Sequence, residues 1–558
     1  MIQHHYLIKT RHKNLLLARR ENLMIARKGP MATPSEKLAE SLEMLHKLQN
    51  ANGAAAIRAR DIPRTHRERL TANGFLREVM KGWYAPSRPD EKEGDSTAWY
   101  ASYWRFAAIY LEARFGKNWS LSPEQSLSLH GGNRTVPRQL LVRSPKAGNK
   151  VVPLPHGTSL FDVRAALPAA KDREEQEGLR IFSLESALIE CSPQYFTSHA
   201  TDTRTALSIV RDVSGLLARL LEGGRSTVAG RLAGAFRNGG RDRLADEIQK
   251  TMAAAGYDVR ESDPFRDRPT LTFTARETSP YVNRIKLLWD KMRGPVIEHF
   301  PKAPGIPPDA DAYMKGVEEA YVADAYHSLS IEGYRVSQQL IERVRSGNWD
   351  PKAHEQDREQ TNAMAARGYW QCFQVVKKSI ERVLRGENPG SVAEEDHREW
   401  YREMFAPSVA VGILKPADLA GYRTGQVFIR QSMHVPLNRD AVIDAMPALF
   451  DLLTQETEPS VRVVLGHFIF VYIHPYMDGN GRMGRFLMNL MMAAGGYPWT
   501  VVPLHERKAY MAALENASVD ENIAPFAEIL GNLVKKRLAG EPLPTIPKSS
   551  TTSATFSA

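Results

Sequence analysis

Residues 460–487 read SVRVVLGHFIFVYIHPYMDGNGRMGRFL, and this stretch limits the fold more than any other. By periodicity alone the apolar run is either a buried strand or a buried helix. Gly479, Gly481 and Gly484 also spell the G-x-G-x-x-G of a dinucleotide loop. Length separates the two readings. Residues 460–473 exceed the usual strand, and a dinucleotide-binding strand runs almost directly into its first glycine, whereas HPYMD intervenes here. The spacing therefore predicts a buried helix, a loop, and a second helix from about Arg482 to Ala494 that stops at Gly495-Gly496, where glycine supplies a left-handed cap.

On this reading Gly479, Asn480 and Gly481 sit at a helix N-terminus, where free N–H groups and the positive dipole end favour an anion. Arg482 and Arg485 are three apart and project from one face as forked phosphate donors. Asp478 is a hard oxygen ligand of the kind a phosphate-bridging Mg²⁺ takes. His474, four residues upstream, is placed as a base for a hydroxyl attacking phosphorus. Nucleotidyl or phosphoryl transfer follows. An EF-hand fails because its twelfth position would be Asn489. A zincin fails because His467 and His474 are seven apart. His467 reads as a packed core residue.

The 558 residues exceed one hydrophobic core, and 42% apolar with 25% charged residues is ordinary for a globular multidomain chain. The net charge of +10 is uneven. Met1–Pro30 carries Lys9, Arg11, Lys13, Arg19, Arg20, Arg27 and Lys28 against Glu21, and Met31 then opens a capped helix start, so 1–30 is a basic flexible leader or a start-site extension. Cys191 and Cys372 are far apart without a metal-binding spacing, which fits a reducing cytoplasm. The longest apolar run, Val463–Ile473, is 11 residues, short of the roughly 20 that a membrane span needs.

Leu38, Leu42, Leu45 and Leu48 mark an amphipathic helix. The following AAAIRARDIPRTHRERLTANGFLREVMKGWYAPSRP reads as a helix, a turn at Pro63, a second helix through Leu70 and a hairpin. With Arg58, Arg60, Arg64, Arg67 and Arg69 this is a winged-helix pattern, either facing DNA or forming a small adaptor with a solvated basic face. Together with SPEQSLSLHGGNRTVPRQLLVRSP it resembles AbiEi-type antitoxin regulators. Residues 170–260 read as helical, and GRLAGAFRNGGRDR within them as a helix hairpin. The expected organisation is a leader (1–30), a winged-helix-like region (31–165), a helical linker region (166–275), a main helical domain (276–535) and a disordered tail (536–558).

HPYMDGNGRMGR resembles the Fic motif HPFx[D/E]GNGRxxR, with Tyr476 where that family usually has phenylalanine. The resemblance implies a mainly α fold, an all-helical core with a β-hairpin flap, that transfers AMP from ATP to a Ser, Thr or Tyr hydroxyl of a target protein. His474 would be the base, Asp478 the Mg²⁺ ligand, Gly479, Asn480 and Gly481 the α-phosphate nest, and Arg482 and Arg485 the β/γ-phosphate clamps. GYRTGQVFIRQSMHVP resembles the family's target-binding flap, with Ile429, Arg430, Gln431 and Ser432 as candidate contacts. Tyr510 would flank the adenine or simply belong to the core, and Ser518 replaces an asparagine frequent in the family. SLSIEG, with Ser328, Glu332 and Gly333, resembles the inhibitory helix whose glutamate pairs with the second motif arginine, although spacing alone reads as a solvated glutamate before a glycine cap. Autoinhibited adenylyl transfer is the leading expectation. Removal of AMP, transfer of UMP, and a DNA-binding regulator that senses nucleotide are its alternatives.

Overall fold

The computed structural model describes residues 33–52, 55–89, 94–269, 279–347 and 360–547. The basic leader and the last eleven residues of the expected tail lie outside them. The chain divides into two compact units: one takes the described residues up to Leu287 together with Val427–Pro436, the other takes Leu288–Gln426 and the described residues from Leu437.

The first unit opens with a helix over Pro34–Asn52. Thr33 and Glu36 cap it reciprocally, the Thr33 N–H donating to Glu36 Oε2 at 2.8 Å and the Glu36 N–H to Thr33 Oγ1 at 3.3 Å. The helix expected over AAAIRARDI does not form across its described residues 55–62. Ile57–Arg58 is instead a short strand, with Ile57 opposite Tyr84, and a turn closed by the Asp61 N–H to Arg58 O at 2.9 Å leads to Pro63. Cross-strand pairing of a β-branched residue prevails over the local helix preference of the alanines. The helix Arg64–Ala72 and the hairpin Leu76–Met80/Trp83–Pro86 follow, and Leu45, Ile57, Ile62, Leu70 and Leu76 close a small core.

The helix Thr97–Phe115 then packs Trp99, Tyr103 and Phe106 with Leu140, Val142 and Leu160 of a four-stranded mixed sheet. In that sheet Gln139–Ser144 and Ser159–Arg164 run parallel. The stretch from 170 is not helical throughout, because Arg173–Gln176 and Leu179–Phe182 form a hairpin. Its two-residue turn needs positive φ at both central positions, which Glu177 (52°) and Gly178 (81°) provide. Ser226–Asn238 and Asp242–Ala254 form the expected helix hairpin.

The second unit is helical. Pro459–Ile473 lies at its centre and is buried on nearly every side, as its continuous apolar sequence requires. Asn480–Gly495 packs along it and ends in a left-handed Gly496 (φ 74°), as the sequence predicts. The two helices meet at Gly484, where a Cβ would stand 3.1 Å from the His467 ring and from Val471 Cγ2. Any larger residue would push the helices apart. Gly484 is thus a point of close helix approach as well as a spacer between arginines. Ala310–Ile331, Gln360–Leu384, Pro389–Ala410, Arg439–Gln455, Arg507–Val519 and Ala524–Leu538 are further helices of this unit. No helix among the described residues is long and apolar enough to cross a membrane.

Candidate active site

The central helix terminates on a histidine in the left-handed region. His474 has φ 55° and ψ 59°, and its N–H donates to Phe470 O at 3.0 Å. This conformation is uncommon outside glycine and persists only where the surroundings hold it. Nδ1 lies 3.1 Å from Val471 O, and since a carbonyl can only accept, the ring proton sits on Nδ1. Nε2 is left with its lone pair. Burial, helped by the Arg423 charge, brings the imidazole pKa down to about 4 against the Val471 hydrogen bond and the Glu332 and Asp478 charges, which raise it. At neutral pH the ring is an uncharged acceptor.

Asn480 closes the loop that follows. Its Oδ1 accepts the Tyr476 N–H at 2.9 Å and its Nδ2 donates to Tyr476 O at 2.8 Å. The Asn480 side chain therefore braces the loop, and only its main-chain N–H is left for the anion nest. Tyr476 is 1% exposed and stacks on Tyr401 with centroids 3.9 Å apart and planes 7° from parallel. Its hydroxyl has no hydrogen-bond partner among the described residues. Gly479 (φ 82°) caps the next helix, and a Cβ there would fall 2.8 Å from Phe405. Glycine alone suits both the backbone and the space.

Both motif arginines are buried. Arg482 lies between the rings of Tyr334 and Phe405, 5.1 and 5.0 Å from their centroids, and 3.6 Å from Asp478 Oδ2. Its Nε has no partner among the described residues. Arg485 donates from Nε to Ser328 Oγ at 2.8 Å and from Nη2 to Ser328 O at 3.1 Å and Glu332 Oε1 at 2.7 Å, and its Nη1 has no partner there either. Burial would lower the guanidinium pKa, but the Glu332 charge raises it above the ordinary value.

Glu332 caps the C-terminus of Ala310–Ile331, the wrong end of that helix for a carboxylate. Across the site, however, it faces the N-terminus of Asn480–Gly495: a Cβ on Gly481 would stand 2.3 Å from Glu332 Oε1. The carboxylate thus lies against the anion nest and holds Arg485 at the same time. The structure brings together Ser328, Glu332, Gly481, Arg485, Arg482 and Asp478, as well as His474 at the far side of the loop.

Asp478 keeps 41% of its side chain exposed, with Oδ1 accepting the Gly479 N–H at 2.7 Å. Among the described residues no three His, Cys, Asp or Glu side chains form a metal cage. One exposed carboxylate beside an anion nest fits Mg²⁺, which takes most of its ligands from phosphate and water. Tyr510 is 1% exposed with its hydroxyl 2.7 Å from His467 Nε2, so it belongs to the interior.

The candidate flap is not an exposed hairpin. None of the three sheets includes it, and it groups with the first unit. Val435, Phe428 and Met433 pack against the aromatic core there, Met433 O accepts the Val136 N–H at 2.9 Å, and the Gln431 N–H donates to Thr97 Oγ1 at 2.9 Å. Alternating apolar residues that read as a free ribbon are drawn into a core that sequence periodicity does not reveal. Arg430 and Gln431 form the exposed tip, Arg430 lying 3.3 Å from Asp95, while Ile429 is half-buried and Ser432 buried.

Four of the arginines of the 58–69 stretch have partners within the chain, the Arg64 pair being exposed, and Arg60 is exposed. Arg58 pairs with Asp61 and Arg64 with Glu68, Arg67 donates to Ala59 O, and Arg69 donates to Lys37 O and Ser41 Oγ. Arg423 is a residue the sequence reading passed over. It is 2% exposed and donates from Nε to His474 O at 2.7 Å. A basic residue at the foot of the flap with no acidic neighbour was its only signal.

Residues 391–492 match the Fic/DOC family. Protein adenylyltransferase fic-1 of Caenorhabditis elegans is 27% identical over 221 residues, covering 38% of this chain and 40% of that protein. Protein adenylyltransferase Fic of Nematostella vectensis is 24% identical over 341 residues, 56% of this chain and 75% of that protein. A solved structure of Fic-1 from C. elegans aligns over 62% of this chain and 97% of its own with 17% identity and a TM-score of 0.34. The residues matched to that family include His474, Asp478, Gly479, Asn480, Gly481, Arg482 and Arg485, in the arrangement just described.

Proposed function

We propose that this chain is a protein adenylyltransferase, moving AMP from ATP to the hydroxyl of a Ser, Thr or Tyr on a target protein, and that Glu332 restrains it in cis. The observation that carries the chemistry is the tautomer of His474: with Nδ1 donating to Val471 O, Nε2 is an acceptor at the edge of a loop whose other end is an anion nest. Nε2 takes the proton of the acceptor hydroxyl as its oxygen bonds to the α-phosphorus, and the bond from that phosphorus to the β-phosphate bridging oxygen breaks, releasing pyrophosphate. The N–H groups of Asn480 and Gly481, joined by that of Gly479 once it leaves Asp478 Oδ1, bind the α-phosphate charge, and Arg482 and Arg485 hold the departing diphosphate. Mg²⁺, with Asp478 as its protein ligand, would neutralise phosphate charge. The segment with Ile429, Arg430, Gln431 and Ser432 holds the target, and Arg430 and Gln431 are the side chains free to touch it.

The named relatives support this reading, since they are protein adenylyltransferases. Two buried free cysteines agree with a cytoplasmic, reducing location. The restraint follows from the 2.7 Å pair between Glu332 and Arg485, which occupies a donor the γ-phosphate requires. ATP labelled at the α-phosphate should label protein and release pyrophosphate, whereas label from the γ-position appearing on protein would replace adenylyl by phosphoryl transfer. A uridylyl mass on the product would assign UMP transfer instead.

A further inference from the structure

Arg423 is a buried arginine whose partners are main-chain carbonyls. Besides the bond to His474 O, Nη1 donates to Gly425 O at 3.0 Å, and Nη2 donates to Leu437 O and, at 3.5 Å, to Ile473 O. Its own N–H donates to Pro475 O at 2.9 Å. Burying a guanidinium is costly, and here carbonyl dipoles offset the cost. Burial alone brings its pKa down to about 10, which still leaves it charged at neutral pH.

The positions of those carbonyls give the contact its meaning. Gly425 and Leu437 stand just outside the two ends of Val427–Pro436, while Ile473 and His474 are the last turn of the central helix and the base itself. One planar fork joins the feet of a loop to a main chain about fifty positions away in sequence. A lysine presents a single point of donors and could not span the same set.

We infer that Arg423 is a positioning residue: its guanidinium ties Gly425 and Leu437, within the same unit, to the main chain of His474, so that one side chain sets these two loop ends and the base in a common register. Its consequence for turnover rests on the adenylyl-transfer reading; its geometry does not. The charged groups facing the imidazole are Arg423, Glu332 and Asp478. Without the arginine, the two carboxylates remain.

Two readouts test this, the first independent of activity. NMR titration of the His474 ring should give a midpoint below the ordinary histidine value of about 6.5 in the wild type. The midpoint should stay there in Arg423→Lys, which keeps the charge, and rise in Arg423→Gln, which loses it. The second readout is steady-state transfer in a Glu332→Gly background. Arg423→Lys should lower kcat about 100-fold, the cost of a misplaced reacting group, and raise KM for the acceptor protein while KM for ATP holds. If Arg423→Gln does not fold, the wild-type midpoint and the Arg423→Lys kinetics still decide. A wild-type midpoint at or above the ordinary value, or Arg423→Lys kinetics matching the reference, would overturn the inference. A reference that labels nothing while the midpoints move as stated would instead overturn the transfer reading and leave the positioning role standing.

Discussion

His474 caps one helix and, in the proposed reaction, accepts a proton, and both roles draw on its left-handed backbone. The left-handed turn ends the helix while Nδ1 stays bonded to Val471 O, so Nε2 keeps its lone pair. His474→Ala should lower transfer by at least about 100-fold, the usual worth of a general base, with ATP binding retained; loss of ATP binding instead would mark it as a structural residue. Tyr476 makes a separate prediction. Its stacked ring is buried but its hydroxyl lacks a partner among the described residues. Tyr476→Phe should therefore raise unfolding stability by about 1 kcal/mol, since an unsatisfied buried polar group is removed at constant shape. Urea unfolding of both proteins measures this, and a clear loss of stability would show that the hydroxyl is satisfied.

At the scale of elements, the site is a meeting of helix ends. The N-terminus of Asn480–Gly495 provides the nest, the C-terminus of Ala310–Ile331 delivers Glu332 to it, and Pro459–Ile473 delivers His474. Gly484→Ala should cost about 1–3 kcal/mol, because its Cβ would press into His467 and Val471 where the helices touch; an unchanged melting temperature would show that the pair gives way freely. Much of this was legible in sequence. The five residues between apolar run and glycines excluded the dinucleotide strand, and the structure has a helix there; the His, Asp and two Arg at fixed offsets carry the proposed phosphate chemistry. Other parts were not legible, for physical reasons. Arg423 acts on main-chain carbonyls, which carry no side-chain code. The Val427–Pro436 segment packs into a core assembled from residues some 300 positions earlier, so its alternation read as a free hairpin. Ile57–Arg58 became a strand through its pairing with Trp83 and Tyr84, which local preference cannot foresee.

For the whole molecule, buried histidines shape the response to acid. Burial pushes His397 and His474 down to about 4 and His467 to about 3. In the unfolded chain they titrate near 6.5, so between that pH and about 4 the unfolded state binds more protons and stability falls as pH drops. Asp324, raised by burial to about 6, works in the opposite direction over the same window, but it is one group against these three histidines and His327, which burial also lowers. Denaturation midpoints should therefore decline from pH 7 toward pH 4, and a flat profile would contradict the burial of these rings. The central claim is that the proposed adenylyl transfer depends on His474 and is restrained by Glu332. Intact-protein mass after incubation with Mg²⁺ and ATP tests it most directly, with wild type, Glu332→Gly and His474→Ala side by side. Adenylyl additions should be abundant in Glu332→Gly, sparse in wild type and absent in His474→Ala. Equal addition to wild type and Glu332→Gly, or addition surviving in His474→Ala, would contradict the account.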